Sequence, residues 1–266
     1  MKKIISVLLA AVMCMALLAG CGSSDSDYKY ITDNGKMVIG ITIYSPMNYY
    51  DENDKLIGFD TEFAEEVCKE LGVEPKFQVI DWKAKETELK AKNIDCIWNG
   101  LTVTEERKAD MDFTRTYLMN KQCVVIKKAD ESKFSTTEGL ASALITAEGG
   151  SAGETAIKAD ANLSKASYTA SESQAAALLG LVAGNYDAII IDYTMAKSCV
   201  GEGDYADFMI VESIDLVDEL YSIGFRVGSD MTEKVNKVIN KMIEDGRLAK
   251  IAEKYEMTEL YNEAIK

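Results

Sequence analysis

Residues 95–113, DCIWNGLTVTEERKADMDF, hold the densest run of side chains able to do chemistry. An apolar strand ends at Trp98, and Asn99-Gly100 then lets the backbone turn freely. Thr102 and Thr104 offer hydroxyls, and Thr104 can cap a helix with Arg107 at its third position. In open α/β sheets ligands bind beyond the carboxyl ends of strands, which is where this turn falls. From spacing alone Arg107 has two readings. It aims its planar fork at a bound carboxylate, a contact worth roughly 1.5–3 kcal/mol, or it sits on the surface paired with Glu105, Glu106 or Asp110.

The rest of the composition narrows the field. The chain has no histidine, which excludes a Ser-His-Asp triad, a Cys-His pair and a His-ligated zinc site. Beyond the leader, Cys68, Cys96, Cys123 and Cys199 form no CxxC, and each sits in an apolar-periodic segment, as a small buried hydrophobe or, alternatively, half of a disulfide. No cofactor fingerprint is present, so neither a cofactor nor a metal is expected. The formal charge of −15 repels nucleic acid and anionic lipid, so both are poor partners.

Strands and helices alternate from Met37 onward. MVIGIT, KFQVID and IDCIW read as strands, with a helix over TEFAEEVCKELG between the first two, Asp60 or Thr61 as its N-cap and Gly72 past its end. A polar helix over KAKETELKAK precedes IDCIW. QCVVIKK, ASALITAE and YDAIIID continue the strands, with helices at GETAIKAD and at SESQAAALLGLVAGN, capped by Ser171 or Ser173. A helix near YTMAKSCV, strands DFMIVE and YSIGFRV, and one long closing helix carrying Val235, Val238, Ile239, Met242 and Ile243 on one face complete the chain. Alternating strands and helices mean α/β architecture with parallel sheets. Two strand-rich centres, 37–101 and 141–212, predict two lobes, joined by the apolar segments QCVVIKK and YSIGFRV.

The first twenty residues, MKKIISVLLAAVMCMALLAG, have a charged head and an apolar middle too short to span a membrane. With Cys21 next, they resemble a bacterial lipoprotein signal; the alternative is an uncleaved amphipathic anchor. The resemblance implies cleavage before Cys21, acylation of that cysteine (palmitate among the chains) and attachment at the outer face of the cytoplasmic membrane. Stable anchoring takes more than one acyl chain. Loss of residues 1–20 removes two lysines and takes the charge from −15 to −17. The polar stretch GSSDSDYKYITDN then reads as a flexible tether.

GLTVTEERKADMDFTRTYL is similar to the signature of the extracellular solute-binding proteins, family 3, which serve polar amino acid ABC importers. IGFDTEFAEEVCKELGV, EGGSAGETAI, YDAIIIDYTMA and EDGRLAKIAEKY match further stretches of that family in the same order. The resemblance implies a two-lobed, periplasmic-binding-protein-like fold (type II), each lobe a mostly parallel sheet flanked by helices, with a two-strand hinge. The expected division is 37–122 and 225–266 for the first lobe and 123–224 for the second. Residues 21–36 form the lipidated tether, and the hinge strands fall near 122–128 and 221–227.

The same resemblance assigns roles. Arg107 holds the ligand α-carboxylate, Thr102 adds its hydroxyl and N–H, and the Gly100 carbonyl accepts from the α-ammonium. Asn99 sits at a small polar contact position. Ser151 and Ala152 begin a helix whose N–H groups face the anion, and Asp192 takes the ammonium from the second lobe, with helix capping as its alternative. Tyr44 and Phe59 sandwich the ligand side chain, with ordinary core beside its helix as the alternative for Phe59, and Trp98 either walls the pocket or packs behind the turn. Glu148 either favours a basic or amide ligand or is a solvent-facing charge. The stretch from Gly40 to Pro46 is shorter than in relatives and carries Ile41 and Thr42 where an acid often stands.

The expected function is capture of a polar L-amino acid by a monomeric lipoprotein that delivers it to permease subunits, without catalysis. The alternatives are a ligand-sensing lipoprotein of the same fold and a dehydratase-type enzyme. No acid–base pair in the sequence specifies the latter.

Overall fold

A computed structural model of the protein describes residues 26–266; the leader and Cys21 lie outside the described residues. The first half begins with β1 (Lys36–Ile41), a small hairpin of β2 (Tyr49–Tyr50) and β3 (Leu56–Ile57), then β4 (Glu74–Val79), β5 (Cys96–Thr102) and β6 (Met111–Phe113). Two long strands, β7 (Leu118–Lys127) and β12 (Asp218–Arg226), bracket the second half, which carries β8 (Leu144–Glu148), β9 (Ser167–Ser171), β10 (Ala188–Asp192) and β11 (Phe208–Ile210). Strand order runs β4-β1-β5-β12-β7-β10-β8-β9, with β6 beside β12 and β11 beside β7. Within each half the helix-connected strands are parallel, and the long strands return antiparallel to them. Parallel strands need crossover connections, which the intervening helices supply.

The passage between halves lies at the start of both long strands. Leu118–Lys121 pairs with Asp218–Tyr221, after which β7 pairs with β10 while β12 pairs with β5 and β6. Tyr221–Phe225 pairs with β5 and Gly224–Arg226 with β6, so the apolar run YSIGFRV supplies the core strand of that sheet.

Three local expectations change. Residues 27–33 of the expected tether form a helix, because Ser26 caps it through Lys29 N–H (2.9 Å) and Asp27 pairs with Arg226 (3.0 Å). Asp60 and Thr61 do not cap the helix Phe59–Leu71; Gly58 occupies that position and Gly72 ends the helix left-handed. The closing segment is not one helix. Gly246, at φ 77°, breaks it between Met231–Glu244 and Arg247–Lys254, and a further helix covers Thr258–Ala264. The described helices include none long and apolar enough to cross a membrane.

Candidate functional site

β5 does not end at Trp98 but runs to Thr102, and a bulge makes the turn within it. Its partners shift between Ser222 and Gly224 of β12, so Trp98, Asn99 and Gly100 lie opposite Ile223 alone. Gly100 takes φ 57°, and a Cβ there would stand 2.1 Å from Tyr44 Oη, so only glycine fits. The bulge turns this segment into a small, nearly filled cavity of about 10 Å³. Its lining comes from both halves: Tyr44, Trp82, Asn99, Gly100, Thr102 and Arg107 from the first, and Glu148, Ser151, Ala152, Gln174 and Asp192 from the second. A larger open groove on the other side of Arg107 also draws charged groups from both halves, Lys85 and Glu86 with Glu154 and Lys158, but it contains neither Asp192 nor Glu148.

Nine of the residues singled out from sequence thus surround one space; Phe59 and Trp98 do not. Phe59 is buried and stacks on Tyr117 with centroids 6.1 Å apart, and Trp98 meets Phe63 edge-on at 4.9 Å. Both lie on the helix-facing side of β5. On the same side Asp60 ties the helix to the cavity wall, its Oδ2 accepting from Tyr117 Oη (3.0 Å) and Gly100 N–H (2.7 Å). Burial pushes the Asp60 carboxyl up to about 7 against those two donors.

Asn99 lines the cavity, yet its amide is spent on the framework. Oδ1 accepts from Thr42 N–H (2.9 Å) and Oγ1 (2.8 Å), and Nδ2 donates to Thr42 O (2.8 Å) and Asn48 Oδ1 (2.7 Å). Thr42, in the short stretch before Pro46, locks this corner.

Arg107 belongs to a 3-10 turn rather than an α-helix, with Thr104 Oγ1 accepting from its N–H (3.1 Å). It forms no surface pair with Glu105, Glu106 or Asp110: Nη1 donates to Thr102 O (2.8 Å) and Nη2 crosses to Gly150 O of the other half (3.1 Å). Buried Lys85 reaches the same carbonyl at 3.0 Å, so two cations of the first half clamp the loop that opens the helix Ala152–Ala159. Ser151 caps that helix, accepting from Glu154 N–H (3.2 Å).

Asp192 sits at the N-cap position of Tyr193–Cys199, but its side chain makes no cap hydrogen bond. The carboxylate accepts from Asn120 Nδ2 (3.1 Å), Gln122 Nε2 and Gln174 Nε2. The same Asn120 and Gln122 groups donate to Glu219 at 2.8 and 3.0 Å. Burial, then the neighbouring Asp192, pushes Glu219 up to about 8, and burial also raises Asp192. Glu148 is not a solvent-facing charge. It is 2 % exposed, its Oε1 has no partner among the described residues, and burial followed by Asp192 pushes it up to about 8 while Lys85 opposes.

Sequence reasoning missed Trp82 and Gln174 in the lining and the amides of Asn120 and Gln122 behind it. A signal existed for each: Trp82 follows the carboxyl end of β4, Gln174 is the polar residue opening an otherwise apolar helix, and Asn120 and Gln122 interrupt an apolar strand. Among the described residues no cluster of His, Cys, Asp and Glu is arranged to hold a metal.

A cleft between two α/β halves, crossed by two strands and lined by one guanidinium and buried acids, defines a two-lobed ligand-binding protein of the type II periplasmic class. The chain belongs to the bacterial extracellular solute-binding proteins, family 3, whose model matches residues 37–258. It is 29% identical over 257 residues to the arginine-binding extracellular protein ArtP of Bacillus subtilis, covering 96% of this chain and 98% of that one. A Streptococcus pneumoniae ABC uptake transporter substrate-binding protein with bound histidine superposes with a TM-score of 0.80 at 27% identity, covering 92% of this chain and 100% of the other. An ancestral amino acid-binding protein described as a precursor of cyclohexadienyl dehydratase gives 0.78 at 27% identity over 86% of this chain and 99% of its own.

Proposed function

We propose that the protein captures a polar L-α-amino acid, with cationic and amide side chains preferred over acidic ones, and presents it to the permease subunits of an ABC importer. The observation that carries this reading is the convergence of Arg107 and Asp192 from opposite halves on one cavity that also holds the buried Glu148. In it Arg107 exchanges its carbonyl partners for the α-carboxylate, assisted by Thr102 and the N–H groups at Ser151 and Ala152. Asp192 and the Gly100 carbonyl take the α-ammonium, and Tyr44 flanks the side chain. A ligand touching both halves stabilises the closed arrangement, because only that arrangement offers both sets of contacts; the protein class is itself a standard example of hinge closure.

In this reading the protein works as a monomer, held at the outer face of the membrane by lipid on Cys21. Catalysis is not part of this reading: Asp192 is engaged by three amides, and the sequence specifies no acid–base pair. The relatives' names favour arginine, histidine, cystine or glutamine as ligands. A thermal-shift panel of α-amino acids tests the reading. A ligand at a hundred times its Kd adds about 2.7 kcal/mol of stability. A shift with arginine, lysine or glutamine and none with glutamate is expected; no shift with any α-amino acid overturns it.

A further inference from the structure

We propose that Glu148 switches the cavity between two ligand classes: as a carboxylic acid it pairs with a neutral amide side chain, and as a carboxylate with a cationic one. This rests on the reading of the cavity as an α-amino-acid site and specifies which side chains it takes.

The buried acids at and behind this space are not equivalent. Asp192 accepts hydrogens from three amide groups, and Glu219, behind the lining, from two. Glu148 accepts none among the described residues, although it is as buried as they are, at 2 % against 7 % for Asp192 and 3 % for Glu219. Two carboxyl groups lining one small space cannot both ionise without compensating charge, so the form that needs no donor is retained at Glu148, where no donor is supplied.

The charged and titratable neighbours point the same way. Asp192 at the end of β10 and Asp81 after β4 disfavour a second anion at Glu148. Lys85 favours one, but its Nζ is engaged with Gly150 O, Trp82 O and Glu86 Oε1 at 3.0, 3.2 and 3.1 Å. Arg107 is turned to Thr102 O and Gly150 O, and Tyr44 is a neutral phenol whose own ionisation burial opposes. The free site therefore keeps the Glu148 proton.

A neutral amide uses both faces of the protonated group: the O–H donates to the amide oxygen and the carbonyl accepts from the amide nitrogen, with no proton exchanged. A guanidinium or ammonium favours the anion. The Glu148 O–H bond then breaks, the electron pair stays on oxygen, and the proton passes to solvent or buffer as the ion pair forms. Cation capture is thus linked to proton release, and amide capture is not.

Isothermal titration of the purified protein with L-arginine and L-glutamine, in buffers of different ionisation enthalpy at pH 6.5, counts the protons. Arginine is expected to release nearly one per site and glutamine close to none. Arginine affinity should rise by up to about tenfold per pH unit between pH 6 and 7 and flatten above the Glu148 transition, while glutamine affinity stays level. Glu148→Gln should abolish both the arginine-linked release and its pH slope. Equal proton counts for the two ligands overturn the switch, and so does release that survives in Glu148→Gln, which puts the proton on another acid. Absence of binding by any α-amino acid contradicts the functional reading itself.

Discussion

The two charged ends of the cavity are built in opposite ways. Arg107, half-buried, satisfies its guanidinium with main-chain carbonyls at Thr102 and Gly150. Asp192 is held by amide side chains from two elements, Asn120 and Gln122 on β7 and Gln174 on the helix Gln174–Val182. A neutral carbonyl is a weaker partner for a guanidinium than a carboxylate is, because charge-assisted bonds are roughly twice as strong. The cation is therefore ready to change partners, whereas the anion is fixed in place and ready to add one. In the second half the acid's position is set before a ligand arrives. In the first half the arginine has only neutral carbonyl partners, which under the proposed reading a ligand carboxylate replaces.

That difference is open to attack, beginning with the largest effect. Arg107→Ala should weaken amino acid binding by about 2–5 kcal/mol, the range for removing one member of a buried charge pair, and leave the melting temperature nearly unchanged, because only neutral contacts are lost. Asp192→Asn should weaken binding comparably but also disturb the fold, since Gln122 and Gln174 lose a charged acceptor. Titration calorimetry beside thermal melts separates the two. Equal loss of stability in both variants would erase the asymmetry.

Next comes the wall between them. Gly100→Ala forces a Cβ against Tyr44 Oη in a left-handed conformation that costs roughly 1–2 kcal/mol before the clash. A drop of several degrees in melting temperature with weakened binding is expected; unchanged binding would mean that the bulge does not shape the site. Asn99→Ala should cost about 1–3 kcal/mol of stability by stranding its partners on Thr42 and Asn48, yet leave the order of ligand preference intact. A changed order would restore Asn99 as a ligand contact.

A smaller effect concerns pH. Asp60 is pushed up to about 7, and Glu148 and Glu219 up to about 8. Carboxyls raised on folding bind more protons in the native than in the unfolded chain. Their stabilisation is full below the unfolded values near 4 and is lost as pH climbs through 7 to 8. The melting temperature of the ligand-free protein should fall between pH 5.5 and 8.5, and Asp60→Asn should reduce that fall. A curve that rises with pH would show these acids ionised and satisfied.

Much of this was legible in the residues, and the exceptions share a cause. Alternating apolar runs gave the strands in order, Gly72 marked a helix end, and the cluster 99–107 marked the strand end where the cavity lies. Phe59 and Trp98 stayed ambiguous because an aromatic beside a binding motif has the same pattern whether it faces the ligand or the helix behind. Only the bulge decides, and its register depends on β12, more than a hundred residues away. Asp60 looked like a cap because local spacing cannot reveal that Gly100 N–H competes for it. Gln174, Asn120 and Gln122 were visible as polar breaks in apolar runs, but their common target, Asp192, is a tertiary fact.

The most direct test compares L-arginine with agmatine, its counterpart lacking the carboxylate, on the wild-type protein and on Arg107→Ala. If Arg107 reads the carboxylate, the wild type should prefer arginine by about a hundredfold or more, and the variant should lose most of that preference, a double-mutant cycle in which protein and ligand groups are removed in turn. An equal preference in both proteins would contradict the account at its centre.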